Sequence, residues 1–157
     1  MGRALPVALG LAIAQTDREV VVVEGDGGLM MHMGGLVTVA AVAPANLTVL
    51  LIDNGMHGAS GGQALTSQSV DCAGLGRAAG SERSTAIATE GALRGALAGA
   101  FETAAPSFLV LATAPDTDIV VPPVGLDPVA IKRRFMTAID APRYVPTLFG
   151  GGMLEGS

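Results

Sequence analysis

The sequence predicts an α/β fold of three layers, helix–sheet–helix, built on a mostly parallel sheet. Three observations predict it. Apolar helical segments alternate with short apolar strands along the chain, as in strands joined by helical crossovers. The strands are continuous apolar runs, which marks burial on both faces. The two most irregular stretches, residues 25–28 and 53–63, directly follow strands, where ligands bind in such sheets.

Taken in order, residues 4–15 read as a helix that is apolar all round, with Pro6 suited to its first turn. Residues 16–19 are a polar turn. The β-branched run at 20–23 is a buried strand, and Gly25-Asp26-Gly27-Gly28 follows at once. Residues 29–43 read as one apolar helix, stopped by Pro44-Ala45-Asn46. A second buried strand spans 47–52 and ends in Asp53-Asn54-Gly55. Residues 55–68 form a Gly/Ser/Gln loop without periodicity. A helix over 70–79 stops at Gly80, and a weak strand covers 84–88. Thr89 caps a helix over 90–103, with Leu93, Leu97 and Ala100 on one stripe and Arg94 opposite. A fourth strand covers 108–112. Pro122-Pro123 breaks the chain, and Asp127 caps a last helix over 128–139. Residues 140–157 are Gly-rich and read as a flexible tail.

Composition narrows the function. At about 100–200 residues per domain, 157 residues make one domain, read as 1–139 plus the tail. With 50% hydrophobic and 15% charged residues, the chain is not intrinsically disordered. Aromatics are 3%, so the core is aliphatic. A net charge of −5 argues against nucleic acid as partner. The lone Cys72 excludes an intrachain disulfide and any CxxC metal site, and fits a reducing, cytoplasmic compartment. Arg3, the apolar run over 5–13 and Ala12-Ile13-Ala14 faintly imitate a signal peptide. The run falls short of the ~20 residues that span a bilayer, and a buried helix explains it better, so no membrane is expected.

The residues after the first two strands carry the chemistry. Glycines between a strand and a helix let backbone approach a phosphate, and the helix start offers free N–H groups. An acid in the same turn would repel that phosphate unless a cation lies between, so Asp26 points to a metal bridging protein and diphosphate. Asn54 closes the next strand. A carboxylate, an amide oxygen and a backbone carbonyl are hard ligands suited to Mg²⁺ or Ca²⁺. Residues 28–53 separate Gly27 from Asn54, about one helix plus one strand, which returns the chain to the same sheet end. A dinucleotide fingerprint fits less well. Its third glycine would fall at Met30, and Asp53 lies too far on for the ribose acid.

The Gly-Asp-Gly turn, its spacing and the strand-closing Asn resemble the motif of thiamine diphosphate (ThDP)-dependent decarboxylases, in their C-terminal, β-type pyrophosphate-binding domain. The stretch GDGGLMMHMGGLVTVAAVAPANLTVLLIDNGMHGASGGQ and the ending LDPVAIKRRFMTAI look most like the sulfopyruvate and phosphonopyruvate decarboxylase branch. The resemblance implies the ThDP-binding fold, with ThDP and Mg²⁺ as cofactors. It makes Asp26, Asn54 and the Met56 backbone carbonyl the metal ligands. Gly25, Gly27, Gly28, Leu29 and Gly58 would lie on the cofactor, with Met1 as the apolar wedge under it. The loop 55–63 would line the substrate side, with His57 and Gln63 as candidate catalytic residues.

Such domains carry a further strand before the residue matching Met1, so either the start is truncated or misassigned, or that strand comes from elsewhere. In this family the Glu that forms the cofactor's ylid belongs to a separate pyrimidine-binding domain. The resemblance therefore implies a split, hetero-oligomeric enzyme. An α-type partner subunit would supply that Glu, and the substrate would be an anionic 2-oxoacid. An acetolactate-synthase-like carboligase subunit and a non-catalytic ThDP-fold scaffold are the alternatives. Elsewhere, His32 reads as structural, Cys72 as packing, Met30, Met31 and Met33 as core or interface, and Lys132, Arg133 and Arg134 as a solvated face.

Overall fold

A computed structural model describes residues 1–65, 70–115, 125 and 127–139. The chain divides into a unit over residues 1–118 and a second over 119–157. The expected tail and the Pro122-Pro123 break lie outside the described residues.

The first unit runs α1 (Ala4–Ala14), β1 (Val20–Gly25), α2 (Asp26–Met31), α3 (Gly34–Val42), β2 (Leu47–Asp53), β3 (Met56–His57), β4 (Gln63–Ala64), α4 (Cys72–Ala78), β5 (Ser84–Ile87), α5 (Glu90–Phe101) and β6 (Ser107–Ala112). Four strands form a parallel sheet in the order β1-β2-β6-β5. From β1 to β2 and from β2 to β5 the chain crosses the sheet one way, and from β5 to β6 it returns. Right-handed crossovers then put α3 and α4 on one face and α5 on the other. The core follows this layout. Leu5, Leu9 and Ala12 of α1, with Leu36 and Val39 of α3, pack on Val20, Val22, Leu47, Val49, Leu51, Phe108 and Val110. Ile87, Leu109 and Ala100 are buried outside that cluster.

β1 lies at the sheet edge. Val20 and Val22 are buried, whereas Val21 and Val23 on the opposite face are 46% and 59% exposed. The start of β1 is tied down by Asn46. Its side-chain amide donates to the carbonyls of Ala12 (3.2 Å), Gln15 (2.9 Å) and Arg18 (2.7 Å), binding the end of α1 and the following turn to the entry of β2.

The structure corrects the expected helix over 29–43. Helix begins at Asp26 and breaks at His32-Met33 into α2 and α3. The apolar pattern runs through the break, but Gly34-Gly35 holds the chain only weakly in helix. A side chain at Gly35 would meet His32 Cδ2 at 3.1 Å, so the turn closes tightly there. His32 thus sits exposed in a turn, not on a helix. Met30 packs on the core, while Met31 and Met33 are exposed. The loop after Asn54 is also more regular than its composition suggests. A short 3₁₀ turn over Gly58–Ser60 joins β3 to β4, which pair antiparallel. Thr89 caps α5 by accepting from the Ala92 N–H, as expected.

The second unit contains α6 (Pro128–Ala138). Asp127 caps it by accepting from the N–H groups of Val129 and Ala130. Lys132, Arg133 and Arg134 are exposed. No helix among the described residues is long and apolar enough to cross a membrane.

Candidate functional site

Parallel strands β1 and β2 end together, so the turns leaving them meet. Asp26, 2% exposed, opens α2 directly after β1. Its Oδ1 accepts from the Gly27 N–H at 2.8 Å, and its Oδ2 accepts from the Gly55 N–H at 2.7 Å. One carboxylate thereby clamps the two loops together. Each oxygen keeps a second lone pair for a cation. Asn54 is fixed by a shorter device: its Oδ1 accepts from the Met56 N–H at 3.1 Å.

Between the two loops lies a cavity of about 260 Å³ lined by Met1, Glu24 to Gly28, Ile52, Asn54 and Met56 to Ala59. The glycines let the side chains of His57 and Glu24 lie close over the backbone. A Cβ on Gly27 would come within 2.5 Å of His57 Nδ1, and one on Gly28 would overlap the Glu24 carboxylate. Most of the expected site residues thus meet at one cavity: Met1, Gly25, Asp26, Gly27, Gly28, Asn54, Met56, His57 and Gly58. Two do not line it. Leu29, expected to offer its backbone amide, turns its side chain into the core. Gln63 is exposed and turned back on Ser60, its amide donating to the Ser60 carbonyl at 3.3 Å while its Oε1 accepts from the Ser60 hydroxyl at 3.2 Å.

One residue on the cavity wall, Glu24, was not among those expected. Glu24 closes β1 on the same face as Val20 and Val22, and its Oε2 is buried with no hydrogen-bond partner among the described residues. A charged residue ending a run of four valines was its signal in the sequence. Asp53 and Cys72 lie behind Asp26. Burial first, then the neighbouring Asp26 carboxylate, pushes Asp53 above its ordinary value, although the Cys72 thiol donates to it. Burial and the Asp53 charge push the Cys72 thiol up to about 12. Cys72 is therefore a neutral, buried thiol, consistent with packing.

A parallel sheet with two glycine-bearing turns, a clamped carboxylate and hard oxygen donors at its carboxyl end is the framework of a protein that binds an anionic cofactor. The oxygens suit a divalent cation, and the glycine floor has the close backbone approach that a diphosphate needs. The chain belongs to the thiamine pyrophosphate enzymes. Residues 1–111 match the family model "Thiamine pyrophosphate enzyme, C-terminal TPP binding domain". The chain is 41% identical over 135 residues to a phosphonopyruvate decarboxylase of Streptomyces hygroscopicus, covering 86% of this chain and 33% of that protein. It is 32% identical over 139 residues to the sulfopyruvate decarboxylase subunit beta of Methanococcus maripaludis, covering 88% of this chain and 74% of that subunit. It thus spans about a third of the phosphonopyruvate decarboxylases it matches. Among solved structures, the benzoylformate decarboxylase of Polynucleobacter necessarius shares the fold, with a TM-score of 0.62 at 21% identity over 74% of this chain and 24% of that one.

Proposed function

We propose that residues 1–139 form the pyrophosphate-binding unit of a split, ThDP- and Mg²⁺-dependent 2-oxoacid decarboxylase of the sulfopyruvate or phosphonopyruvate type. A pyrimidine-binding partner subunit completes its active site, and the assembly works in the cytoplasm. The observation that carries the reading is the Asp26 clamp, which holds a buried carboxylate beside Asn54 at the mouth of a glycine-floored cavity. Similarity to a beta subunit, of which the chain covers 74%, supports the split architecture.

In this reading Asp26 Oδ, Asn54 Oδ1 and the Met56 carbonyl hold Mg²⁺. The backbone at Gly27 and Gly28 takes the diphosphate, and Met1 supplies an apolar wall. ThDP, when bound, supplies the electron sink that lets a 2-oxoacid lose CO₂. His57 lies with Nδ1 against Gly27, which leaves Nε2 to meet the substrate carboxylate or carry a proton. Gln63 would reach the substrate only by leaving Ser60.

Native mass spectrometry of the tagged chain, purified from its host with Mg²⁺ and ThDP, tests the assembly. A second chain of similar size and one ThDP per pair are expected. In that complex, Asp26→Ala and Asn54→Ala should each weaken ThDP binding at least tenfold by calorimetry and abolish decarboxylation. Binding and turnover unchanged in both variants would make the chain a scaffold and overturn the proposal.

A further inference from the structure

The hairpin that carries Met56 and His57 does not hold its shape unaided. Its strands β3 and β4 are two residues each, and so short a pair is marginal by itself in water. Residues 58–64 stand exposed, yet Leu65, the next residue, is only 5% exposed. Leu65 lies outside the cluster of the main core, so its burial serves the hairpin rather than the sheet. Both arms of the hairpin come back to Gly27. A Cβ there would meet His57 Nδ1 at 2.5 Å from one arm and Leu65 Cδ1 at 3.4 Å from the other. The backbone closes the same circle. Asp26 Oδ2 accepts from the Gly55 N–H at 2.7 Å, and the Gly55 carbonyl accepts from the Leu65 N–H at 2.8 Å.

We propose that Leu65 is a positioning residue for the cofactor site: its side chain latches the hairpin to the Gly-Asp-Gly turn and so sets the places of the Met56 carbonyl and of His57 over Gly27. The proposal rests on the ThDP reading of the cavity and adds a residue that acts only through others. Without the latch, the Gly55 N–H still binds Asp26, but Met56 and His57 ride on a hairpin whose far end is loose. Groups that must be ordered as the ligand arrives weaken its binding, whereas groups held in place beforehand do not.

The test uses the assembly purified from the host, with Leu65→Ala, the size-conserving Leu65→Met, and Ile87→Ala as a buried control on β5, away from the hairpin. Leu65→Ala keeps the backbone N–H, so only the apolar anchor is lost. Amide hydrogen exchange without ligand reads the latch, and calorimetry with Mg²⁺ and ThDP reads its effect on the site. In Leu65→Ala, exchange should quicken over residues 55–65 while β1 and β2 keep their protection, and ThDP binding should weaken about tenfold. Leu65→Met should restore both. Ile87→Ala should lower the melting temperature but leave exchange over 55–65 and ThDP binding at wild-type levels. Unchanged exchange over 55–65 in Leu65→Ala, unchanged ThDP binding there, or equal losses in Ile87→Ala would each overturn the proposal. A wild-type assembly that binds no ThDP would remove the ThDP reading, and the exchange data would then decide the latch by themselves.

Discussion

Asp53 is an acid crowded by an acid. Asp26 is committed to the clamp, and Asp53 sits next to it with only the Cys72 thiol and the Gly55 backbone to relieve it. Its carboxyl is raised above the ordinary value of 3.8. A raised acid favours the fold most when protonated, so its contribution is present below pH 3.8 and is lost as pH rises through the folded-state value. At neutral pH Asp53 is therefore a liability to the protein without cofactor. Asp53→Asn should raise the melting temperature at pH 7 by roughly 1–3 °C, and the gain should shrink as pH falls toward 4. Scans of both proteins from pH 4 to 8 check this; a gain constant with pH would show that charge is not its source. The residue scale also shows what a sequence conceals. Asp26, Asn54 and the glycines were legible because their spacing places them at one sheet end. Glu24 carries only a faint signal, a charge ending a run of valines; that its Oε2 has no donor among the described residues shows only in the fold.

At the scale of elements, the strands were the easiest to read. The run 20–23 is wholly valine and the run 47–52 is aliphatic apart from Thr48, and both appear with their ends shifted by two residues or fewer. The α2–α3 break was illegible because side-chain polarity does not change across it; Gly34-Gly35 and the packing of His32 decide it. The 55–65 loop was underestimated for a related reason. Its order comes from two backbone bonds, the Leu65 N–H to the Gly55 carbonyl at 2.8 Å and the Gly62 N–H to the His57 carbonyl at 3.0 Å, and from the short β3–β4 pairing. The junction at Asn46 was legible only as a helix stop. Its amide instead serves three carbonyls at the end of α1 and in the turn after it, 28 to 34 residues earlier. Replacing Asn46 by Ala strands those acceptors in a buried site, and a cost of about 2–3 kcal/mol is expected. Urea denaturation measures it. A loss below 0.5 kcal/mol, roughly that of an ordinary surface change, would mean that water serves the carbonyls equally well.

For the whole molecule, the three-layer arrangement followed from order alone: alternating elements, parallel strands and right-handed crossovers leave few alternatives. Which strands form the two edges, β1 and β5 among the described residues, did not follow, since strand order depends on contacts far apart in the chain. The β1 edge has a practical consequence for anyone handling this chain by itself. Among the described residues β1 has a neighbour on one side only, and its free side is a run of valines with no lysine, proline or bulge to discourage pairing. Val21 and Val23 make the adjoining face sticky as well. Such an edge is a template for growth, on which each captured strand presents a fresh one. The isolated chain should therefore turn cloudy or seed fibres on storage, and Val23→Lys should slow this several-fold by light scattering without altering the melting temperature by more than about 2 °C. Scattering that is identical in the two proteins would mean that growth starts elsewhere.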